Sequence, residues 1–124
     1  MRRGNKTVGL RLRVVLEPDM AIGPGKADIL DGIRETGSIA AAGRRLGMSY
    51  KRAWLLVETM NGCFREPLVE TAKGGREGGG ARLTAMGEEV LGRYRRMQAT
   101  ASAAVAPEIA ALRDLLADAV GGPD

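Results

Sequence analysis

In the opening segment "TVGLRLRVVLE", apolar and basic positions alternate: Val8, Leu10, Leu12, Val14 and Leu16 fall on one face, Arg11 and Arg13 on the other. A period of two predicts a half-buried strand, because successive side chains of extended backbone point to opposite sides. "PDMAIGPG" interrupts the alternation with two prolines and two glycines and reads as a loop. From Pro24 the period changes. Ile29, Leu30 and Ile33 recur at helical spacing and predict a first helix that stops at Gly37. Ser38 is an N-cap residue for a second helix, "SIAAAGRRLG", with Ile39, Ala42, Gly43 and Leu46 inward and Gly47 able to turn left-handed. After Met48, Ser49 caps a third helix, "SYKRAWLLVETMN", with Ala53, Leu56, Val57 and Met60 inward and Gly62 at its end.

Two helices joined across a short turn, with glycine in the turn, predict a helix-turn-helix over residues 38–61. Ala42 and Gly43 allow close backbone approach and Met48 plugs the turn. An ordinary helical hairpin is the alternative, but it needs none of these positions to be coordinated. The apolar stretches "LVETA" and "ARLT" flank the glycine-rich "KGGREGGG", a strand–tip–strand pattern that predicts a hairpin over residues 67–84. Directly after a helix-turn-helix it reads as a wing, with a mobile hairpin of no further duty as the alternative. Thr84 then caps a helical region whose face is Met86, Val90, Tyr94, Met97 and Ala101. Pro107 is expected to kink or restart it, with Ile109, Leu112, Leu116 and Val120 as a second apolar face. Such a tail either dimerises or packs on its own domain. The expected fold is mainly α with a small β-hairpin (α+β). It is a winged helix-turn-helix with an N-terminal strand over residues 1–84, followed by a C-terminal helical dimerisation region over 85–124.

Composition narrows the chemistry. The chain has 124 residues, a net charge of +4, one cysteine and no histidine. Without histidine the commonest metal ligand and the commonest general base are both missing. Glu88 and Glu89 are adjacent at a helix start and do not face each other. Gly75 and Gly80 have phosphate-loop spacing, but Ala81 and Arg82 stand where Lys and Ser/Thr belong. A dinucleotide fingerprint fails at Leu83. No enzyme, cofactor or metal site is expected. No run suits a signal peptide or membrane span. A lone Cys63 forms no internal disulfide and suits a reducing cytoplasm; beside Phe64 it reads as a small buried hydrophobe.

Basic residues cluster at the start (Arg2, Arg3, Lys6, Arg11, Arg13) and at Arg44, Arg45, Lys51 and Arg52, whereas beyond Arg96 only Arg113 is basic. A polyanionic partner therefore belongs to the earlier part of the chain. In a helix-turn-helix the second helix presents its N-terminal residues to base edges. That puts Ser49, Tyr50, Lys51 and Arg52 forward, with Leu55 and Glu58 farther along. Trp54 serves either the core or DNA. Arg44 and Arg45 suit phosphates or a solvated face, and Lys73, Arg76 and Arg82 suit phosphates beside the wing.

The segments "GSIAAAGRRLGMSYKRAW", Met60-Asn61, "PLVET" and "GGREGGGARLTAMGEEVL" resemble the N-terminal DNA-binding domain of ModE-type molybdenum-dependent transcriptional regulators. Gly37-Ser38, Ala41-Ala42 and the Leu83-Thr84 to Gly87 ending are similar to the wider LysR-type winged helix. The resemblance implies a homodimer that binds double-stranded operator DNA, with the first strand and the helix after the wing helping to form the dimer. Long members of that family continue into molybdate-binding domains. Here the chain reaches Asp124 within a helical, acidic tail, so direct molybdate binding is not expected. A winged-helix module that dimerises with a longer relative and binds little DNA itself is the alternative function.

Overall fold

The computed structural model describes residues 8–72 and 80–118. Its elements run β1 (Val14–Glu17), β2 (Met20–Ile22), α1 (Pro24–Thr36), α2 (Ile39–Arg45), α3 (Tyr50–Cys63), β3 (Val69–Ala72), β4 (Gly80–Leu83) and α4 (Ala85–Asp114). The strands form two antiparallel pairs, β1 with β2 and β3 with β4. The fold class read from the sequence holds.

The N-terminal hairpin departs from expectation in two ways. The alternation survives in burial, with Leu10, Leu12 and Val14 half-buried and Arg11 and Arg13 exposed, but strand pairing begins only at Val14 and Val8 and Leu16 are exposed. "PDMAIGPG" is only partly a loop. Pro18 and Asp19 make a two-residue turn, and Met20, Ala21 and Ile22 return as a buried strand. Prolines and glycines mark turns, but they bracket a three-residue apolar run too short to show a period.

The helices form as their caps dictate. Pro24 opens α1, where a missing N–H is harmless. Gly37 closes it at φ 74°, donating its N–H to the Ile33 carbonyl at 2.8 Å. Ser38 Oγ accepts the Ala41 N–H at 3.0 Å and Ser49 Oγ accepts the Arg52 N–H at 3.1 Å, one cap for each helix of the pair. The crossings depend on small residues. A Cβ on Gly32 would stand 2.8 Å from the Ala42 Cβ, and one on Gly43 would stand 2.9 Å from the Ala53 Cβ. Those two contacts set how closely α2 approaches α1 and α3. Gly47, at φ 73°, reverses the chain between α2 and α3.

Ile29, Leu30 and Ile33 of α1 meet Ala53, Val57 and Met60 of α3 and Leu68 beside β3 in one core, closed by Leu91 and Tyr94 of α4. The sequence pattern placed Tyr94 on the inward face of α4 and missed Leu91; Met97, expected on that face, is exposed. Two further expectations fail here. Cys63 is exposed, because α3 continues past Gly62 and turns that position outward while Met60 fills the core. Pro107 does not restart a helix: it lies inside α4, which runs from Ala85 to Asp114. Both Pro107 and Ala103, whose carbonyl the proline leaves unpaired, are exposed, so water can satisfy it.

Candidate nucleic-acid interface

Ser49 fixes the first turn of α3, and with Ala53, Val57 and Met60 turned inward the opposite face is free of the core. Lys51, Leu55 and Glu58 occupy that face at helical spacing, and all three are exposed. Arg52 lies on one flank. Tyr50 and Trp54, one turn apart, lie on the other; Trp54 is 38% exposed and stands outside the core cluster. Among the described residues neither Lys51 nor Arg52 forms an ion pair. Their charge is uncommitted at the start of the exposed helix.

The preceding helix adds Arg44 and Arg45 at its C-terminal end, both exposed. Arg45 Nη1 bonds Glu35 Oε1 at 2.5 Å, with both side chains about half in water, and an exposed pair of this kind is weak enough to exchange for a phosphate. Arg82 faces Glu70 across the β3–β4 ladder, Nη2 to Oε1 3.4 Å, and is likewise exposed. Lys73, Arg76 and the glycine-rich tip lie outside the described residues. The structure therefore brings Ser49, Tyr50, Lys51, Arg52 and Trp54 onto one helix surface, with Arg44 and Arg45 just before its turn and Arg82 on a separate strand.

Sequence reading assigned no role to the residue that ties the hairpin to α3. Asn61 Oδ1 accepts the N–H groups of Leu68 at 2.8 Å and Val69 at 3.1 Å, and its Nδ2 donates to the Val69 carbonyl at 3.0 Å. One amide thus continues the backbone pairing of β3 from the end of the exposed helix. From the other side, the Ala81 N–H donates to the Gly37 carbonyl at 2.9 Å and the Thr84 hydroxyl donates to the Pro67 carbonyl at 2.7 Å. A Cβ on Gly87 would run into the Leu68 carbonyl, so α4 can start this close to β3 only with glycine there. In the sequence Asn61 stood out only as part of the Met60-Asn61 pair that carries the family resemblance, with no role attached to it.

The second half of the picture is α4. Arg95 Nε bonds Asp31 Oδ2 at 3.1 Å and Nη2 bonds Asp28 Oδ1 at 3.0 Å, clasping α4 to α1. Burial alone would lower the Arg95 pKa, and the hydrogen bonds with Asp31 and Asp28 outweigh it and hold the guanidinium above its ordinary value. Arg34 and Glu88 make a second, exposed bridge at 3.1 Å. Tyr94 donates its hydroxyl proton to the Leu12 carbonyl at 2.6 Å, fixing the N-terminal segment along α4. Beyond Tyr94 no described residue of α4 is buried; Leu112, Leu115 and Leu116 lie in water, Leu115 at 80% exposure. An open groove of about 600 Å³ runs between Leu12 and Val14 on one side and Met97 and Ala101 on the other. Among the described residues no cluster of metal-ligating side chains occurs and no helix is long and apolar enough to cross a membrane.

A capped helix pair with an outward second helix, buttressed by a β-hairpin, defines a winged helix of the DNA-binding class. The fold is similar to the CbnR DNA-binding domain, a LysR-type domain solved in complex with DNA, at a TM-score of 0.56 and 25% identity, covering 71% of this chain and 95% of that one. Among curated relatives, the chain is 45% identical over 87 residues to the molybdenum-pterin-binding protein MopB of Rhodobacter capsulatus. It is 38% identical over 88 residues to the molybdenum transport protein ModE of Azotobacter vinelandii. Identity to the DNA-binding transcriptional dual regulator ModE of Escherichia coli is 36% over 83 residues. These matches cover 69%, 69% and 67% of the chain but 32%, 33% and 32% of the relatives, so the chain spans about a third of their length. No family model matches. The chain's homologues are ModE and Mop proteins, in keeping with the resemblance carried by its helix-turn-helix and wing residues. Regulators and a DNA-binding domain as relatives set the chain apart from enzymes.

Proposed function

We propose that the chain is a sequence-specific, double-stranded DNA-binding transcriptional regulator that acts as a homodimer in the cytoplasm. The observation that carries this reading is the surface of α3, a capped helix whose first turn exposes Lys51 and Arg52 without an ion-pair partner among the described residues. In this reading α3 lies in the major groove. Lys51 or Arg52 meets the acceptor pair of a guanine, Ser49 and Tyr50 flank it, and Arg44 and Arg45 hold phosphates. Arg82 and the wing-tip residues Lys73 and Arg76 rest on the backbone of the duplex. The division of labour is a DNA-binding unit over residues 1–84 and a dimerisation region over 85–124. Support for the dimer comes from the apolar residues that the domain leaves in water: Leu112 on α4, Leu115 and Leu116 just past its end, and Val15 and Leu16 on β1. A leucine side chain taken out of water contributes roughly 1.5–3 kcal/mol, so a second copy that covers these residues gains from each of them.

The test is a gel shift with genomic fragments, followed by a salt titration on the bound fragment and on a scrambled duplex. A regulator of this kind binds the true fragment at least about a thousandfold more tightly than the scramble at physiological salt. Equal and weak binding of both would leave a protein-contact module as the surviving function.

A further inference from the structure

The outward surface of α3 contains a feature that guanine and phosphate contacts leave unused. An open groove of about 270 Å³ is lined by Ser49, Lys51, Arg52, Leu55, Leu56 and Thr59. Leu55 stands one turn after Lys51, is 52% exposed, and has no place in the core cluster. Packing within the chain gives no reason for a leucine there, and half of it in water forgoes the gain of burying it. Its surroundings are cationic: Lys51 and Arg52 form the rim. A cationic rim over an apolar floor complements a surface that is anionic at its edges and apolar at one point. The major groove of DNA is such a surface, with phosphates along both walls and the C5 methyl of thymine as its apolar group.

We propose that Leu55 reads thymine, packing its side chain against the C5 methyl of one thymine in each half-site. The proposal rests on the DNA-binding reading above and deepens it. One helical turn rises about 5.4 Å and base pairs about 3.4 Å, which places that thymine one or two base pairs from the base met by Lys51. Leu55 thus makes the apolar half of a two-part readout in which Lys51 or Arg52 makes the polar half.

The experiment starts from a randomised duplex library from which the purified chain selects its own site. That site is resynthesised with uracil replacing each thymine in turn, which removes the methyl group and leaves the pairing edge intact. Binding is followed by fluorescence anisotropy. At one thymine per half-site, uracil is expected to weaken binding about three- to fivefold, the factor that burial of one methyl group carries. Leu55→Ala is expected to bind the thymine and uracil duplexes equally, with the melting temperature of the protein unchanged because the side chain is exposed. Wild type indifferent to uracil at every position overturns the proposal, as does discrimination that persists in Leu55→Ala and disappears in Trp54→Ala. A library that yields no enriched site overturns the DNA-binding reading itself, and this one with it.

Discussion

Lys51 and Arg52 share one turn of helix with Tyr50 and Ser49, yet each points to a different part of the surface. A side chain that meets a base edge and one that meets a phosphate fail differently when removed. If Lys51 or Arg52 contacts a base, its replacement by alanine is expected to cost about 1–3 kcal/mol on the selected site and to relax preference at one position. Replacing Arg44, or Lys73 and Arg76 of the wing, is expected to weaken all sequences alike. Each lost phosphate contact should flatten the log–log salt dependence by about one unit. Salt titrations on selected and scrambled duplexes check both. Arg45 and Arg82 should show smaller effects, because their ion pairs with Glu35 and Glu70 must break first. Wing variants that match wild type on both duplexes at every salt would remove the wing from the interface.

At the scale of elements, two joints hold the proposed reading surface in shape: Asn61 between α3 and β3, and Tyr94 between α4 and the N-terminal segment. Asn61→Ala leaves the N–H groups of Leu68 and Val69 without their acceptor. A loss of roughly 2 kcal/mol is expected in urea unfolding, since an unsatisfied buried donor costs about 1–3 kcal/mol. Tyr94 ties the chain through a different chemistry. Burial raises its hydroxyl pKa above the ordinary 10.0, against the pull of Arg95. The folded state therefore favours the neutral phenol. This contribution is fully present below pH 10.0 and is lost as pH rises through the higher folded value. Tyr94→Phe is expected to melt lower at pH 7 by the worth of one hydrogen bond, about 1 kcal/mol, and to lose less stability than wild type above pH 10. Thermal melts across that range decide it. The helices and their caps were legible in the sequence because Ser38, Ser49 and Thr84 each act on the residue three positions on. So was the outward face of α3, from Ala53, Val57 and Met60, although Leu56, read as inward with them, is only half-buried and outside the core cluster. β2 was not, since three apolar residues carry no period. Nor was the clasp of Arg95 on Asp28 and Asp31, because ion pairs across 64 and 67 positions leave no spacing to read.

For the whole molecule, the proposed dimer makes a quantitative demand. Light scattering at tens of micromolar should give twice the 13.1 kDa of one chain, and a monomeric mass would rule the dimer out. Leu112→Lys with Leu116→Lys should shift the mass to the monomer and weaken operator binding while leaving the melting of the domain nearly unchanged, since neither leucine touches the core. Two-fold symmetry then sets the recognition helices about 34–36 Å apart, one turn of DNA or a multiple.

That spacing depends on how firmly α4 is held at its base. Beyond Tyr94 the helix extends about 30 Å to Asp114 with no fully buried residue. In the proposed dimer it would act as a lever about the Arg95 clasp. A tilt of about 10° at the fulcrum moves the far end by about 5 Å, given that length. In a two-fold dimer joined at the far ends, the displacement enters twice, so the separation of the half-sites changes by about three base pairs at 3.4 Å each. The bonds of one guanidinium to Asp28 and Asp31 of α1 would therefore govern, in the proposed dimer, a distance measured at the opposite end of the protein. In the proposed dimer, the tolerance of the operator for insertions between its half-sites would then depend on Arg95, and Arg95→Ala is expected to widen it in binding assays on spacer-length variants.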